Sequence, residues 1–212
     1  MKSQSIQWIL NGCGMEAGSI TGGPVRFHEI SRRWQQSEPT VRQQLMTTLG
    51  GETMLRKMGC HLPVTRIRAS LIAKRERFRA MRLWSYLLSA LTASRAVEKL
   101  KPCDAVITVS DYFCDIVPAL AMKWKWKNCH WIAWIHHREL PPSQRPGNRA
   151  MNTLTWKMQE WSLKQIARHA DAAWVYDTDA GDQVKTRLLE LGMRQERIRI
   201  MKCGINLEQI TT

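Results

Sequence analysis

Two glycines ahead of a proline form the first candidate binding segment, Thr21-Gly22-Gly23-Pro24. A proline is well suited to the first turn of a helix, where its missing N–H costs nothing. Glycines let backbone N–H groups approach a ligand closely, and a helix N-terminus favours a phosphate or another anion. Gly22 and Gly23 are therefore candidate substrate-binding residues, with a plain tight turn as the structural alternative.

A pair of histidines, His136 and His137, follows the apolar run HWIAWI and forms the second candidate segment. An imidazole can exchange hydrogen bonds with a hydroxyl or a phosphate, and its charge state is set by its neighbours. Because side chains alternate across a strand, we expect at most one of the two rings to face a ligand. Both are candidate catalytic residues, and a structural role for the pair is the alternative.

Three arginines, Arg138, Arg145 and Arg149, flank the proline-rich loop that comes next. Guanidinium groups match the geometry of carboxylates and phosphates, which makes Arg138 and Arg145 candidate substrate-binding residues. Ordinary solvation of a loop is the alternative, and the residues alone favour it.

Short apolar runs alternate with longer helical patterns along the chain, which predicts an α/β fold. We expect a single doubly wound, Rossmann-like domain with a mainly parallel sheet of about seven strands. The predicted strands cover residues 6–10, 44–49, 61–67, 104–109, 130–135, 172–176 and 197–201. A helix is predicted to open at Pro24, and others to cover residues 74–100, 112–123, 150–168 and 179–191. Such folds bind ligands beyond the carboxyl ends of their strands, where both candidate segments are placed.

Positive charge is concentrated in one part of the 212-residue chain, whose net charge is +14. Residues 56–101 contain twelve lysines and arginines but only two glutamates. Such a field favours anionic partners, namely phospholipid surfaces, nucleic acid or phosphorylated substrates. A solvated helix face is the structural alternative.

The six cysteines are scattered, with no C-x-x-C pair and no histidine spacing suited to zinc. We therefore expect no metal site. No apolar run approaches the length needed to span a bilayer, and no secretory signal follows Met1. These features predict a cytoplasmic protein with reduced thiols, and the basic stretch adds peripheral association with the inner face of the membrane as an expectation.

Five segments occur in an order that is informative as a set: GGPVRFHEISRRW, TTLGGE, DAVITVSDYFCDIVPAL, HWIAWIHHRELPP and QEWSLKQIARHADAAWVYDTDAGDQV. Over nearly the whole chain they resemble the N-terminal domain of family 4 glycosyltransferases, which have the two-domain GT-B architecture. The closing segment RIRIMKCGINLEQI resembles the last strand of that domain and the linker after it. We expect residues 1–201 to be this domain and residues 202–212 to begin the linker, with the C-terminal donor domain absent.

The resemblance implies transfer of a sugar, with retention, from a nucleotide-sugar donor to an acceptor hydroxyl of a carbohydrate or lipid-linked acceptor. It implies no cofactor beyond that co-substrate. By the same resemblance, Gly22 and Gly23 lie against the donor phosphates and the acceptor, and His136 or His137 approaches the transferred sugar. The E-x7-E motif of the family's donor domain has no counterpart, since no two glutamates here are separated by seven residues. We expect the chain alone to lack appreciable transferase activity, and a separate donor-domain chain is an expected partner.

Two other function classes were compared with the transferase. A non-catalytic basic module that docks on anionic membranes or on a partner protein fits the charge and is the main alternative. Nucleic acid is not an expected partner, since the sequence contains no zinc finger, RNP motif or helix-turn-helix pattern. An NAD-dependent oxidoreductase is disfavoured because no G-x-G-x-x-G follows the first strand directly.

Overall fold

A computed structural model describes residues 4–12, 22–68 and 79–202, without the side chains of residues 79–83. Within these ranges the strands are β1 (Ser5–Leu10), β2 (Arg42–Thr48), β3 (Val64–Ile67), β4 (Ala105–Thr108), β5 (His130–Trp134), β6 (Ala172–Tyr176) and β7 (Ile198–Met201). The α-helices are α1 (Gly22–Ser37), α2 (Leu49–Lys57), α3 (Arg79–Val97), α4 (Phe113–Lys125), α5 (Arg149–His169) and α6 (Asp179–Glu190). Short 3-10 helices cover Pro142–Gln144 and Gln195–Arg197.

The seven strands form one sheet in the order β3-β2-β1-β4-β5-β6-β7, and every neighbouring pair is parallel. The chain builds outward from β1 to β3, then crosses through α3 and builds the other half from β4 to β7. The direction of winding therefore reverses between β1 and β4, which is the switch point where doubly wound folds bind ligands. The predicted fold class is confirmed.

Two apolar layers cover the two faces of the sheet. Helices α1 and α2 cover one face, where Trp8, Phe27 and Leu55 are buried. The remaining four helices cover the other face, which contains Ile116 and Leu163 among its buried residues. Strand alternation sends successive side chains of each strand to opposite layers, so both faces need apolar residues. Each large side chain buried in this way stabilises the fold by roughly 1.5–3 kcal/mol.

Strand β2 differs from its prediction at its end. It stops at Thr48, and α2 begins at once instead of the strand continuing to Leu49. The Thr48 hydroxyl caps the helix by accepting a hydrogen bond from the Gly51 amide at 3.1 Å. A Cβ on Gly51 would overlap the Thr47 side chain, so this glycine serves the close strand-to-helix turn.

Helix α1 includes Gly22 and Gly23, so its described part begins two residues before the predicted start at Pro24. The predicted long helix over residues 74–100 is described as α3 from Arg79 onward. The other predicted helices and strands agree with the structure to within a few residues. Residues 13–21, 69–78 and 203–212, which include most of the glycine-rich loop and the predicted linker, lie outside the described residues.

Candidate functional site

The candidate site lies at the carboxyl edge, by which we mean the ends of β1, β4, β5 and β6 and the first turn of α1. Parallel strands bring all of these chain segments to the same side of the sheet. The described part of the edge contains one buried carboxyl that holds the switch point, one buried imidazole, and a set of polar contacts around the proline-rich loop.

Asp115 on α4 fixes the direction in which the chain leaves β1. Its Oδ1 accepts hydrogen bonds from the backbone amides of Asn11, at 2.6 Å, and Gly12, at 3.2 Å. Its Oδ2 lies 2.5 Å from the hydroxyl of Ser110, which follows β4. One side chain thus joins the two strands on either side of the switch point.

A proline inside α4 strengthens the same junction. Pro118 has no N–H to bond the carbonyl of Cys114 four residues earlier. The side-chain amide of Asn11 donates to that carbonyl at 3.1 Å instead. Next to it, a Cβ on Gly12 would overlap the ring of Tyr112, so only glycine fits this position.

Burial raises the pKa of Asp115 to about 7, against the opposing effect of the hydrogen bonds from Ser110, Asn11 and Gly12. The side chain is fully buried, so the charged form loses its hydration. The protonated carboxyl can keep every contact, because its O–H can donate to the Ser110 hydroxyl while the other oxygen accepts from the two amides.

His136 extends from the end of β5 into the edge and is held as a neutral imidazole. Its Nε2 lies 2.6 Å from the carbonyl oxygen of Val109, and since a carbonyl can only accept, Nε2 carries the proton. Burial, together with the nearby positive charge of Arg26, lowers the pKa of His136 to about 4, against the opposing effect of the hydrogen bond to Val109. The second nitrogen, Nδ1, is buried and has no hydrogen-bond partner among the described residues. It is therefore an acceptor that a water or a ligand hydroxyl could satisfy.

Aromatic rings surround His136 and link it to α1. Its ring centroid lies 5.2 Å from that of Trp134 and 5.6 Å from that of Tyr176. The guanidinium carbon of Arg26 lies 4.5 Å from the centroid of the Tyr176 ring. A Cβ on Gly22 would come within 3.7 Å of the same guanidinium. The structure thus brings the glycine pair and one of the two histidines together, through an arginine and a tyrosine.

His137 turns the other way and its side chain is exposed, as strand alternation predicts. Its carbonyl and the buried Asp111 both accept hydrogen bonds from the side-chain amide of Gln159 on α5, at 3.0 and 2.7 Å. The Gln159 oxygen accepts from the amide of Glu139 at 2.7 Å. Burial raises the pKa of Asp111, while the hydrogen bond from Gln159 and the charge of His137 oppose the shift. Gln159 therefore holds the loops after β4 and β5 together.

Arg138 and Arg145 are half-buried and form ion pairs within the chain, so the expectation of ordinary loop solvation is wrong for them. Arg138 donates to Glu160 at 3.0 Å, and Arg145 lies 2.8 Å from a carboxylate oxygen of Glu139. The first contact fastens the proline-rich loop to α5, and the second joins two residues within the loop. Their role in binding a substrate stays a prediction.

Several residues of the edge were missed by sequence reasoning: Arg26, Asp111, Asp115, Gln159 and Tyr176. Asp115 had a usable signal, because a lone acid in the otherwise apolar stretch FCDIVPALA indicates a buried carboxyl with partners. Arg26 and Gln159 lie on polar helix faces and resemble their solvated neighbours in the sequence. Among the described residues no group of three or more His, Cys, Asp or Glu side chains could hold a metal ion.

The chain matches no family model and no curated protein sequence. It is similar in structure to the lipopolysaccharide outer core galactosyltransferase WaaB in its apo form, with a TM-score of 0.59 and 10% identity, covering 96% of this chain and 46% of that one. It is also similar to Anabaena HepE in complex with UDP and glucose, with a TM-score of 0.54 and 14% identity over 97% and 46% of the two chains. A third similar structure is that of an E. coli trehalose-6-phosphate protein bound to UDP-2-fluoro glucose, with a TM-score of 0.57 and 12% identity over 98% and 50%.

The chain thus spans about half the length of these structures. It has the Rossmann-like fold of one half of a GT-B protein, with a seven-stranded, all-parallel sheet. Membership of family 4 in particular stays a prediction.

Asp115 should make the stability of the fold depend on pH. Its pKa is about 7 in the folded chain and about 4 in the unfolded chain, so the folded state holds an extra proton between these values. The resulting stabilisation is complete below about pH 4 and is lost as the pH rises through about 7, with a slope of up to about 1.4 kcal/mol per pH unit. Asp115→Asn mimics the protonated carboxyl, so its free energy of unfolding should rise relative to that of the wild type from pH 5 to pH 8.

Urea unfolding of both proteins at several pH values in this range measures the difference. Asp115→Ala is the control, because it removes the acceptor from two buried amides and should be less stable than Asp115→Asn at every pH. Parallel stability curves for the wild type and Asp115→Asn would show that the carboxyl does not titrate in this range.

Proposed function

We propose that residues 1–201 are the acceptor-side, N-terminal half of a nucleotide-sugar glycosyltransferase of the GT-B type, related to family 4. A second, nucleotide-binding half, in a separate chain or a further domain, would supply the donor. The fold supports this proposal, and so do similar structures about twice as long, of which one is a galactosyltransferase and two contain UDP or a UDP-sugar.

The observation that carries the proposal is the pairing of a neutral imidazole with a guanidinium at the carboxyl edge. The Nδ1 of His136 has a lone pair and no partner among the described residues, and because it is buried, a donating sugar hydroxyl would have to enter the edge to reach it. Arg26, which already makes contacts within the chain, would have to exchange part of them to neutralise a phosphate oxygen. Gly22 and Gly23 form the first described turn of α1, where the helix dipole also favours an anion and the missing side chains leave room.

In the proposed reaction the bond between the anomeric carbon and the donor phosphate oxygen breaks as the acceptor oxygen bonds to the same face of that carbon. The acceptor proton passes to the leaving phosphate. With a pKa of about 4, His136 is too weak a base to take this proton at neutral pH. Its role is to orient a sugar hydroxyl, while the positive charge of Arg26 favours the leaving group.

The other candidate residues, His137, Arg138 and Arg145, have less direct roles in the proposed reaction. His137 is exposed beside the edge and is free to reach an acceptor. Arg138 and Arg145 would have to exchange their carboxylate partners, Glu160 and Glu139, for a substrate anion.

Ligand binding to the chain tests the acceptor-side assignment. The probes are glucose 1-phosphate, which carries a sugar and a phosphate, and UDP, which carries the nucleotide without a sugar. We expect weak, millimolar binding of glucose 1-phosphate and weaker binding of UDP, because the nucleotide would be held by the other half. Arg26→Ala and His136→Ala should each weaken binding of glucose 1-phosphate about tenfold, the cost of one hydrogen bond or ion pair of about 1.4 kcal/mol.

The matched control is Arg42→Ala, which removes an exposed arginine at the opposite edge of the sheet and should leave binding unchanged. Protein-observed NMR titration gives the affinities and shows which amides respond. UDP binding more tightly than glucose 1-phosphate would contradict an acceptor-side role, as would equal binding by the wild type and the two edge variants.

Membrane docking through α3 is a second candidate function, and an exposed apolar stripe favours it. Trp84, Leu87 and Leu91 recur at helical spacing and are 69%, 38% and 58% exposed. The opposite side of α3 buries small residues such as Ala90 and Ala93, and it packs on α4. Residues 66–82, which lead into the stripe, contain seven lysines and arginines. We infer that this surface lies on anionic lipid at the cytoplasmic face of a membrane.

Flotation with vesicles tests this inference. The chain should float with phosphatidylglycerol-containing vesicles, not with pure phosphatidylcholine vesicles, and binding should fall as salt rises. Trp84→Ser combined with Leu91→Ser should reduce binding severalfold. Ile200→Ser changes an equally exposed apolar residue on β7 and should have no effect. Equal binding to neutral vesicles, or equal retention by DNA at the same salt, would exclude specific docking on anionic lipid. No helix in the described ranges is long and apolar enough to cross a bilayer.

A further inference from the structure

Two cysteines meet at the amino ends of β4 and β5, on the side of the sheet opposite the candidate site. The Sγ atoms of Cys103 and Cys129 lie 3.6 Å apart. Cys129 is buried, whereas Cys103 is partly exposed. Both line an open cleft of about 600 Å³, together with Trp126, Lys127 and other residues. The sulfurs are therefore in contact with each other and adjacent to a space that small molecules can enter.

The strand register brings the two residues close together. Ala105 pairs with His130 across the parallel strands, which places Cys129 opposite Asp104 and so diagonally across from Cys103, the residue before it. Neighbouring strands lie about 4.8 Å apart, and Cα atoms joined by a disulfide are usually 4.4–6.8 Å apart. The two sulfurs would have to close from 3.6 Å to about 2.05 Å, which side-chain rotation can supply without moving the strands.

The backbone on both sides of the pair is held in place. Asp104, next to Cys103, accepts hydrogen bonds from the amide and the hydroxyl of Ser5, both at 2.8 Å. The carbonyl of Cys129 accepts from the ammonium group of Lys123 at 3.0 Å. These contacts keep the thiols at a fixed separation, so they should react with each other in preference to other thiols.

The surroundings also favour one thiolate in the pair. The hydrogen bond from Cys103 and the nearby charge of Lys123 lower the pKa of Cys129, against the effect of burial. The same hydrogen bond, together with burial, raises the pKa of Cys103. Either sulfur can donate in this contact, and the lowered pKa favours Cys129 as the thiol that ionises to the thiolate, the nucleophilic form of cysteine.

We propose that Cys103 and Cys129 form a reversible oxidation site, which a peroxide converts into an intramolecular disulfide. The Cys129 thiolate attacks one oxygen of hydrogen peroxide, the O–O bond breaks, and the departing oxygen leaves as water after taking a proton. The sulfenic acid formed on Cys129 then condenses with the Cys103 thiol, which forms the S–S bond and releases a second water. In total two thiols are oxidised and one peroxide is reduced to two waters. A dithiol reductant restores both thiols by exchange.

The test treats the chain with a small excess of hydrogen peroxide and maps its peptides by mass spectrometry. We expect a loss of about 2 Da, one for each thiol hydrogen, with Cys103 and Cys129 joined in one cross-linked peptide and both thiols recovered after dithiothreitol. Cys103→Ser removes the resolving thiol and should leave a sulfenic acid on Cys129 that dimedone labels. Cys129→Ser should slow oxidation of Cys103 at least severalfold. The matched control is Cys60→Ala, at a buried cysteine outside the pair, which should not change the cross-link.

Two outcomes would overturn the proposal in a chain that is shown by circular dichroism to be folded. One is a pair that stays reduced while other cysteines of the chain are oxidised. The other is a Cys103–Cys129 cross-link that forms only after the chain is unfolded in urea. Because the readout is covalent and needs no sugar ligand, its result is independent of the proposed transferase role.

Discussion

The carboxyl group of Asp115 is the contact on which the geometry of the carboxyl edge depends. It accepts from the two amides that follow β1 and contacts the hydroxyl that follows β4, so it joins the strands on either side of the switch point. Pro118 adds to this junction because it has no N–H to donate to the Cys114 carbonyl, which accepts a hydrogen bond from the side chain of Asn11 instead. Burying a carboxyl is costly, and the cost is offset only while all its partners are present. This region should therefore be rigid, as a ligand site at a switch point requires.

At the same edge, His136 and Arg26 have different charges and therefore different roles. His136 is kept neutral by burial and by the charge of Arg26, against the opposing effect on its pKa of the hydrogen bond to Val109; that bond fixes the proton on Nε2 and leaves Nδ1 as an acceptor. Arg26 contributes a positive charge above the Tyr176 ring. A neutral acceptor beside a cation suits a ligand that has both hydroxyls and a phosphate. This complementarity, together with the fold, is the basis of the proposed role in nucleotide-sugar chemistry.

Apolar periodicity was sufficient to predict the seven strands and most helices, because central strands such as β1 and β4 are buried on both faces and so appear as mainly apolar runs. It missed α2, since LGGE after a strand is typical of a turn and the close approach of Gly51 to Thr47 is a tertiary contact. Gly22 and His136 were predicted from their position at strand ends. Arg26 and Gln159 could not be, because a polar residue on a helix acquires its role only from the loop it meets. The ion pairs of Arg138 and Arg145 likewise depend on how the loop folds, since Arg138 meets Glu160 on α5 and Arg145 meets Glu139 within the same loop.

The most direct test of the central claim is ¹⁵N NMR of the histidine side chains across a pH titration. We predict that His136 carries its proton on Nε2 at neutral pH and titrates with a pKa of about 4. We also expect the Nδ1 resonance of His136 to shift when glucose 1-phosphate is added, while that of exposed His130, at the amino end of β5, does not. A His136 pKa near the ordinary value of about 6.5, or a proton on Nδ1, would contradict the account.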